Sequence, residues 1–260
     1  MTILENPVLI KEVKTKMRSR QPRRVQAAIG IIVGLFVVYC YYEAMAYIIK
    51  FGGTNGANDG WSVGLWVQAI LIWMLAPALT ANAISQEKEQ QTWEMLLFTL
   101  LSGSEILIGK LTARIIPMLA LVGAFSPFML FCFARGTVGP GVFLTTYAVL
   151  AVWIFFLTVV GLFMSWAFRK TATSIAMSYL VVFALVIGTV LVNMTLSMGQ
   201  SWVESWIWWL NPIRITNALT DIKTDTHAPG VLWLSSITFV MLGLFLIWRM
   251  VYRFRAFSVE

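Results

Sequence analysis

Long apolar runs separated by short polar breaks set the pattern of this chain. Five windows, 62 to 84, 115 to 134, 136 to 168, 171 to 203 and 228 to 248, contain no Asp, Glu, Lys or Arg. Each reaches the roughly 20 residues a helix needs to cross about 30 Å of hydrocarbon. A sixth run, 25 to 49, is broken only by Glu43. Backbone amides cannot stay unpaired in lipid, and the runs lack the strict alternation of barrel strands, so helices are the expected solution. The expectation is an all-α integral membrane fold in one domain, 1-260, with six transmembrane helices at 25-49, 62-84, 106-133, 142-168, 174-196 and 231-250.

Composition agrees with this pattern: 59% of residues are hydrophobic, 12% are charged, and mean hydropathy is +0.79. Too few polar groups remain to clothe a water-soluble globule. The net charge of +7 would fit nucleic acid only if Lys and Arg shared one soluble face, whereas here they sit at the ends of the spans. With the N-terminus in the cytosol, the inner side holds Lys11, Lys14, Lys16, Arg18, Arg20, Arg23, Arg24, Lys88, Lys110, Arg114, Arg169, Lys170, Arg249, Arg253 and Arg255, 15 of 19 positive residues. Lys50, Arg135, Arg214 and Lys223 fall outside. This asymmetry predicts both termini in the cytosol and an even number of spans, and no nucleic-acid partner. About two dozen polar residues precede the first span and no small-residue cleavage site follows it, so it is expected to stay in the mature protein. Cys40 and Cys132 lie inside spans and read as small apolar fillers rather than a disulfide or a metal pair.

Asn6-Pro7 is a helix-start signal, with Asn as cap and Pro in the first turn. Ile10, Val13 and Met17 then share one face among basic residues, which predicts an interfacial helix over 6-22. A solvated basic arm that only orients the protein is the other reading. Pro77, Pro117 and Pro127 should kink their spans.

Two connections are long. The first, 85-105, places Trp93, Leu96, Leu97 and Leu100 at helical spacing opposite Glu87, Gln91 and Glu94, which predicts an amphipathic helix running from Ser85 to Leu101. Ser102 and Glu105 then form a capping box for the next helix. Amphipathicity by itself favours a helix resting on the membrane surface over a docking element. The second, 197-230, is external and carries Trp202, Trp206 and Trp209 at i, i+4 and i+7, followed by Asn211-Pro212 opening a short helix. Indole rings suit a lipid–water interface, so a plain aromatic anchor accounts for them equally well. His227 reads as an exposed loop residue.

The string Ala83-Ile84-Ser85-Gln86-Glu87-Lys88-Glu89-Gln90-Gln91-Thr92-Trp93-Glu94-Met95-Leu96-Leu97, continued by Ser104-Glu105-Ile106-Leu107-Ile108-Gly109-Lys110, resembles the loop between spans two and three of type-two ATP-binding-cassette permeases. The opening, Asn6-Pro7-Val8-Leu9-Ile10-Lys11-Glu12 through Arg18-Ser19-Arg20, resembles the connecting helix of many bacterial members. The resemblance implies a transmembrane exporter subunit of a bacterial cell (plasma) membrane. It would pair with a second copy or a related permease and with separate ATPase subunits that bind ATP and Mg. It further implies that the 85-105 loop supplies a coupling helix, with Glu87, Lys88, Glu89, Gln91, Thr92, Trp93 and Glu94 at the ATPase contact. Trp202, Trp206, Trp209, Asn211 and Pro212 would belong to short external helices over the exit of the path.

The residues bear on energy supply as well. No glycine pair five apart is followed by Lys and Ser or Thr, and Gly109-Lys110 continues into Leu111, so no phosphate-binding loop and no cofactor is expected in this chain. Ion-coupled carriers usually bury carboxylates or histidines near the midplane, whereas here only Glu43 intrudes, close to the outer end of its span. No nucleophile with a base and no cluster of metal ligands is visible in the spans, so no catalytic or metal site is expected. Gln68, Asn82 and Asn193 read more readily as interhelical hydrogen-bonding groups, and Glu43, Gln68 and Asn193 are the candidate pathway positions. An ion-coupled secondary transporter, or a membrane scaffold that transports nothing, is the alternative, and the 85-105 loop discriminates between the readings.

Overall fold

The structure is a computed structural model and describes residues 34–35, 38–39, 41–42, 45–46, 49, 53–93, 103–197, 208–220 and 228–257. The expected 6-22 helix, most of the 25-49 span, Glu43, Glu94, the Ser102 cap, Trp202, Trp206 and His227 lie outside these residues.

Every regular element among the described residues is helical. In chain order these are α1 (Gly53–Thr80), α2 (Ser85–Glu89), α3 (Gly103–Ala134), α4 (Pro140–Ala167), α5 (Thr171–Phe183), a π-turn (Ala184–Gly188), α6 (Thr189–Ser197), a 3₁₀ turn (Trp208–Leu210), α7 (Pro212–Thr220) and α8 (Ala228–Phe257). Five stretches are long and apolar enough to cross a membrane: Asp59–Glu89, Gly103–Ala134, Pro140–Ala167, Thr171–Thr195 and Gly230–Arg253. Each overlaps one of the five charge-free windows.

The bundle is organised around α4, which packs against α1, α3, α5 and α8. Two-thirds (67%) of its most apolar window is buried, against 11% for the Thr171–Thr195 span, so α4 is the core helix and the fourth of these spans lies at the periphery. Trp153 on α4 meets Trp73 of α1 at 5.3 Å and Phe239 of α8 at 6.4 Å between ring centroids, joining three helices through aromatic packing. Gly161 lets α4 approach the end of α1. A Cβ there would lie 1.8 Å from the Thr80 hydroxyl oxygen.

Beside two of the three helix prolines, Pro77 and Pro127, hydroxyl side chains bond to the backbone. Pro127 has no N–H for the Gly123 carbonyl, and the Ser126 hydroxyl donates to that carbonyl instead at 2.7 Å. One residue on, the Tyr41 hydroxyl accepts from the Phe128 N–H at 3.1 Å and donates to the Ala124 carbonyl at 3.0 Å, inserting into a rung an unbroken helix closes directly. Near Pro77, the Tyr179 hydroxyl of α5 donates to the Met74 carbonyl at 2.6 Å.

Candidate functional site

The chain leaves α1 at Thr80, makes a tight turn through Ala81–Ile84 and enters α2. A buried turn must find partners for its polar backbone, and here side chains from three other helices supply them. From α4, the Ser165 hydroxyl oxygen accepts from Ile84 N at 2.7 Å and Ser85 N at 2.8 Å. From α5, the Ser174 hydroxyl donates to the Ala81 carbonyl at 2.7 Å, which also accepts from the Ser85 hydroxyl at 2.9 Å. From α3, Lys110 donates to the Ala83 carbonyl at 2.9 Å, and Arg114 donates to the Leu79 carbonyl at 3.0 Å.

Lys110 is fully buried, and its ammonium forms an ion pair with Glu87 of α2 at 2.7 Å. A buried ammonium is tolerable only when paired and hydrogen-bonded, and the Glu87 carboxylate together with the Ala83 carbonyl meets that need. Lys110 and Arg114, which the charge count set on the inner side, turn into the protein one helical turn apart, Lys110 onto the α1–α2 turn and Arg114 onto the end of α1.

The loop differs from expectation. The amphipathic helix predicted from Ser85 to Leu101 is not continuous, because α2 ends at Glu89 and Gln91 adopts a left-handed φ of 56°. The Gln91 N–H reaches the Lys88 carbonyl at 3.3 Å and the Thr92 N–H reaches the Glu87 carbonyl at 3.0 Å. This is the pairing of a Schellman terminus, with Gln in the place glycine usually takes. Glu87, Gln91 and Trp93 therefore do not share one regular helix.

The break decides what faces outward. Glu87 turns towards α3 and is a quarter exposed (25%), while Lys88 is half-buried, donates to the Trp166 carbonyl and lies 5.9 Å from the Trp93 ring. Glu89 is exposed and accepts from the Thr171 N–H at 3.0 Å and the Thr171 hydroxyl at 2.6 Å. A carboxylate at the first turn of α5 also suits the helix dipole. Gln86, Gln90, Gln91 and Thr92 are exposed, and Trp93 packs on the small apolar cluster formed by Ala83, Ile84, Leu107, Val159, Leu162 and Met250.

The other predicted positions do not join this cluster. Gln68 is buried inside the bundle on α1, and its amide has no hydrogen-bond partner among the described residues. Asn193 is half-buried on α6, and Trp209 is half-buried in the 3₁₀ turn. Asn211 is fully buried and caps α7, accepting from Ile213 N at 2.7 Å and Arg214 N at 3.2 Å, with Pro212 as the first helical residue. Sequence reasoning did not single out Ser165, Ser174 or Thr171. Small hydroxyl side chains near span ends carry no signal that separates a clamp from ordinary helix packing. The spacing of Lys110 and Arg114, four residues apart on one helix face, is a signal that was there to be read.

A set of apolar helices with a charged, clamped turn between two of them defines a multi-span membrane protein whose loop is rigidly joined to its spans. The chain matches the ABC-2 family transporter protein over residues 7–259 and belongs to that family. No curated protein matches it.

Proposed function

We propose that this chain is the permease subunit of an ATP-driven exporter, working as a dimer with separate ATPase subunits that dock on the 85-105 loop. Six spans with both termini in the cytosol complete the topology in this reading, with residues 25-49 as the first span and the protein in a bacterial cell membrane. Family membership supports a transporter. The observation that carries the coupling role is the clamp itself. The α1–α2 turn is bonded to α3, α4 and α5 at once, so a displacement of the loop moves four spans rather than bending a linker. The sparsely buried Thr171–Thr195 span supports pairing with a second permease, because its apolar surface is covered by little of the same chain.

The exposed residues Gln86, Gln90, Gln91 and Thr92, beside the carboxylate of Glu89, form the docking surface in this assignment. Glu87 and Lys88 act behind it as internal anchors. The test is co-purification of the tagged chain from its native host in mild detergent, for the native sequence and for Gln86→Arg with Gln90→Arg. A stoichiometric ATPase with a phosphate-binding loop, lost in the double variant while the permease stays folded, is the expected result. A natively extracted chain without any ATPase would sink the assignment.

A further inference from the structure

The fourth of the described spans, Thr171–Thr195, is unlike the other four: its helical ladder passes through a π-turn at Ala184–Gly188 before α6 resumes at Thr189. A π-turn accommodates one extra residue in the helix and costs backbone geometry, so it persists only where something holds it. Local sequence contributes the Thr189 hydroxyl, four residues from the Leu185 carbonyl it bonds. Thr171–Ser197 contains no proline, and a Cβ on Gly188 would meet nothing within 4 Å.

What touches this segment is Asn211. Its amide nitrogen donates to the Val186 carbonyl at 3.2 Å and to the Thr189 hydroxyl oxygen at 2.7 Å. The Thr189 hydroxyl in turn donates to the Leu185 carbonyl at 2.5 Å. The amide oxygen of Asn211 meanwhile caps α7. One fully buried amide thus spends its donors on the π-turn and its acceptor on the start of α7, and the opposite orientation would set donors against the N–H groups of Ile213 and Arg214.

We propose that Asn211 is a latch, a positioning residue that holds the π-turn and ties the register of α6 to the seating of α7. Its consequence for transport rests on the permease reading above, and the latch itself does not. When the extra residue is absorbed into regular α-helix, every following residue turns by about 100°, since an α-helix has about 3.6 residues per turn. The face that α6 presents, with Leu191 and Met194 now exposed, therefore depends on whether α7 keeps Asn211 in place. A small apolar cleft of about 20 Å³, lined in part by Leu185, Pro212, Trp73 and Phe239, adjoins the latch.

The test uses two variants with distinct chemistry. Asn211→Asp keeps the acceptor that caps α7 but loses the donor to Val186 and Thr189. Thr189→Val keeps the shape and removes the partner hydroxyl. In hydrogen exchange on the full chain in lipid nanodiscs, both variants should speed exchange across residues 184–197 by roughly tenfold or more, the factor a lost buried hydrogen bond represents. Exchange of 212–220 should stay protected in both. Unchanged exchange over 184–197 in both variants would overturn the latch. A second readout separates positioning from simple support: spin labels at Leu191→Cys and Asn217→Cys in a Cys40→Ser, Cys132→Ser background of the permease–ATPase complex. ATP with Mg should shift the native distance distribution, and Asn211→Asp should populate the shifted distance without nucleotide. Identical distributions in native and variant complexes would overturn the positioning role even if exchange had changed. If no ATPase complex forms, the permease reading fails while the exchange result still decides the latch.

Discussion

The start and the middle of the Thr171–Thr195 span are held in opposite ways. At its start, Thr171 is bonded to Glu89, and Ser174 reaches the Ala81 carbonyl within a network that includes Ser165, Lys110 and Arg114. Past its middle, a single amide, Asn211, bonds the π-turn and the start of α6 to α7. Redundant bonds make the first region a rigid joint that loses one contact at a time. The second relies on one amide for its polar contact with α7 among the described residues. In the proposed exporter, a span seized at its start and latched past its middle would pass a movement of the loop along its length.

Substitutions can break this comparison. The largest effect is expected from separating the buried ion pair. Glu87→Gln leaves the Lys110 ammonium without its carboxylate and should cost about 3–5 kcal/mol, read as a large fall in melting temperature in detergent. Glu87→Met with Lys110→Met should recover most of that loss, since an apolar pair of similar volume escapes the desolvation penalty. If the double variant is no better than the single one, the pair is not the source of the cost.

Next in size is Gly161→Ala, which sets a Cβ 1.8 Å from the Thr80 hydroxyl oxygen and must push α4 away from α1. Overpacking of this kind costs about 1–3 kcal/mol, and Thr80→Ala in the same chain should relieve part of it in a melting assay. Ser165→Ala strips the shared acceptor from the Ile84 and Ser85 amides, and a loss of about 1–3 kcal/mol with faster exchange at these two amides is expected. Tyr41→Phe should be the mildest, near 1 kcal/mol, because Phe128 N can close onto the Ala124 carbonyl once the hydroxyl is gone. A loss as large as that of Glu87→Gln would show that the Pro127 stretch of α3, and not the α1–α2 joint, is the more critical element.

The apolar helices were legible because lipid leaves the backbone no other option, and runs without charge declare themselves. Asn211-Pro212 was legible as a helix start for an equally local reason, the chemistry of the cap. What escaped was tertiary. Gln91 gives no sign that it will take a left-handed conformation, so the loop read as one helix when it ends at Glu89. Glu87 reads as an outward charge until Lys110, 23 residues later, is seen to be buried against it. The π-turn was equally silent, because the residue that holds it, Asn211, lies 22 positions beyond Thr189 and its capping role already accounts for half of its bonds.

The most direct measurement is site-specific photo-crosslinking from Gln90, an exposed residue of the clamped loop, in native membranes, with exposed Leu144 of α4 as the control position. The account predicts one crosslinked product from Gln90, an ATPase bearing a phosphate-binding loop, whose yield changes with ATP, and no such product from Leu144. Crosslinking of Gln90 to lipid alone, with no ATPase at any nucleotide state, would contradict it.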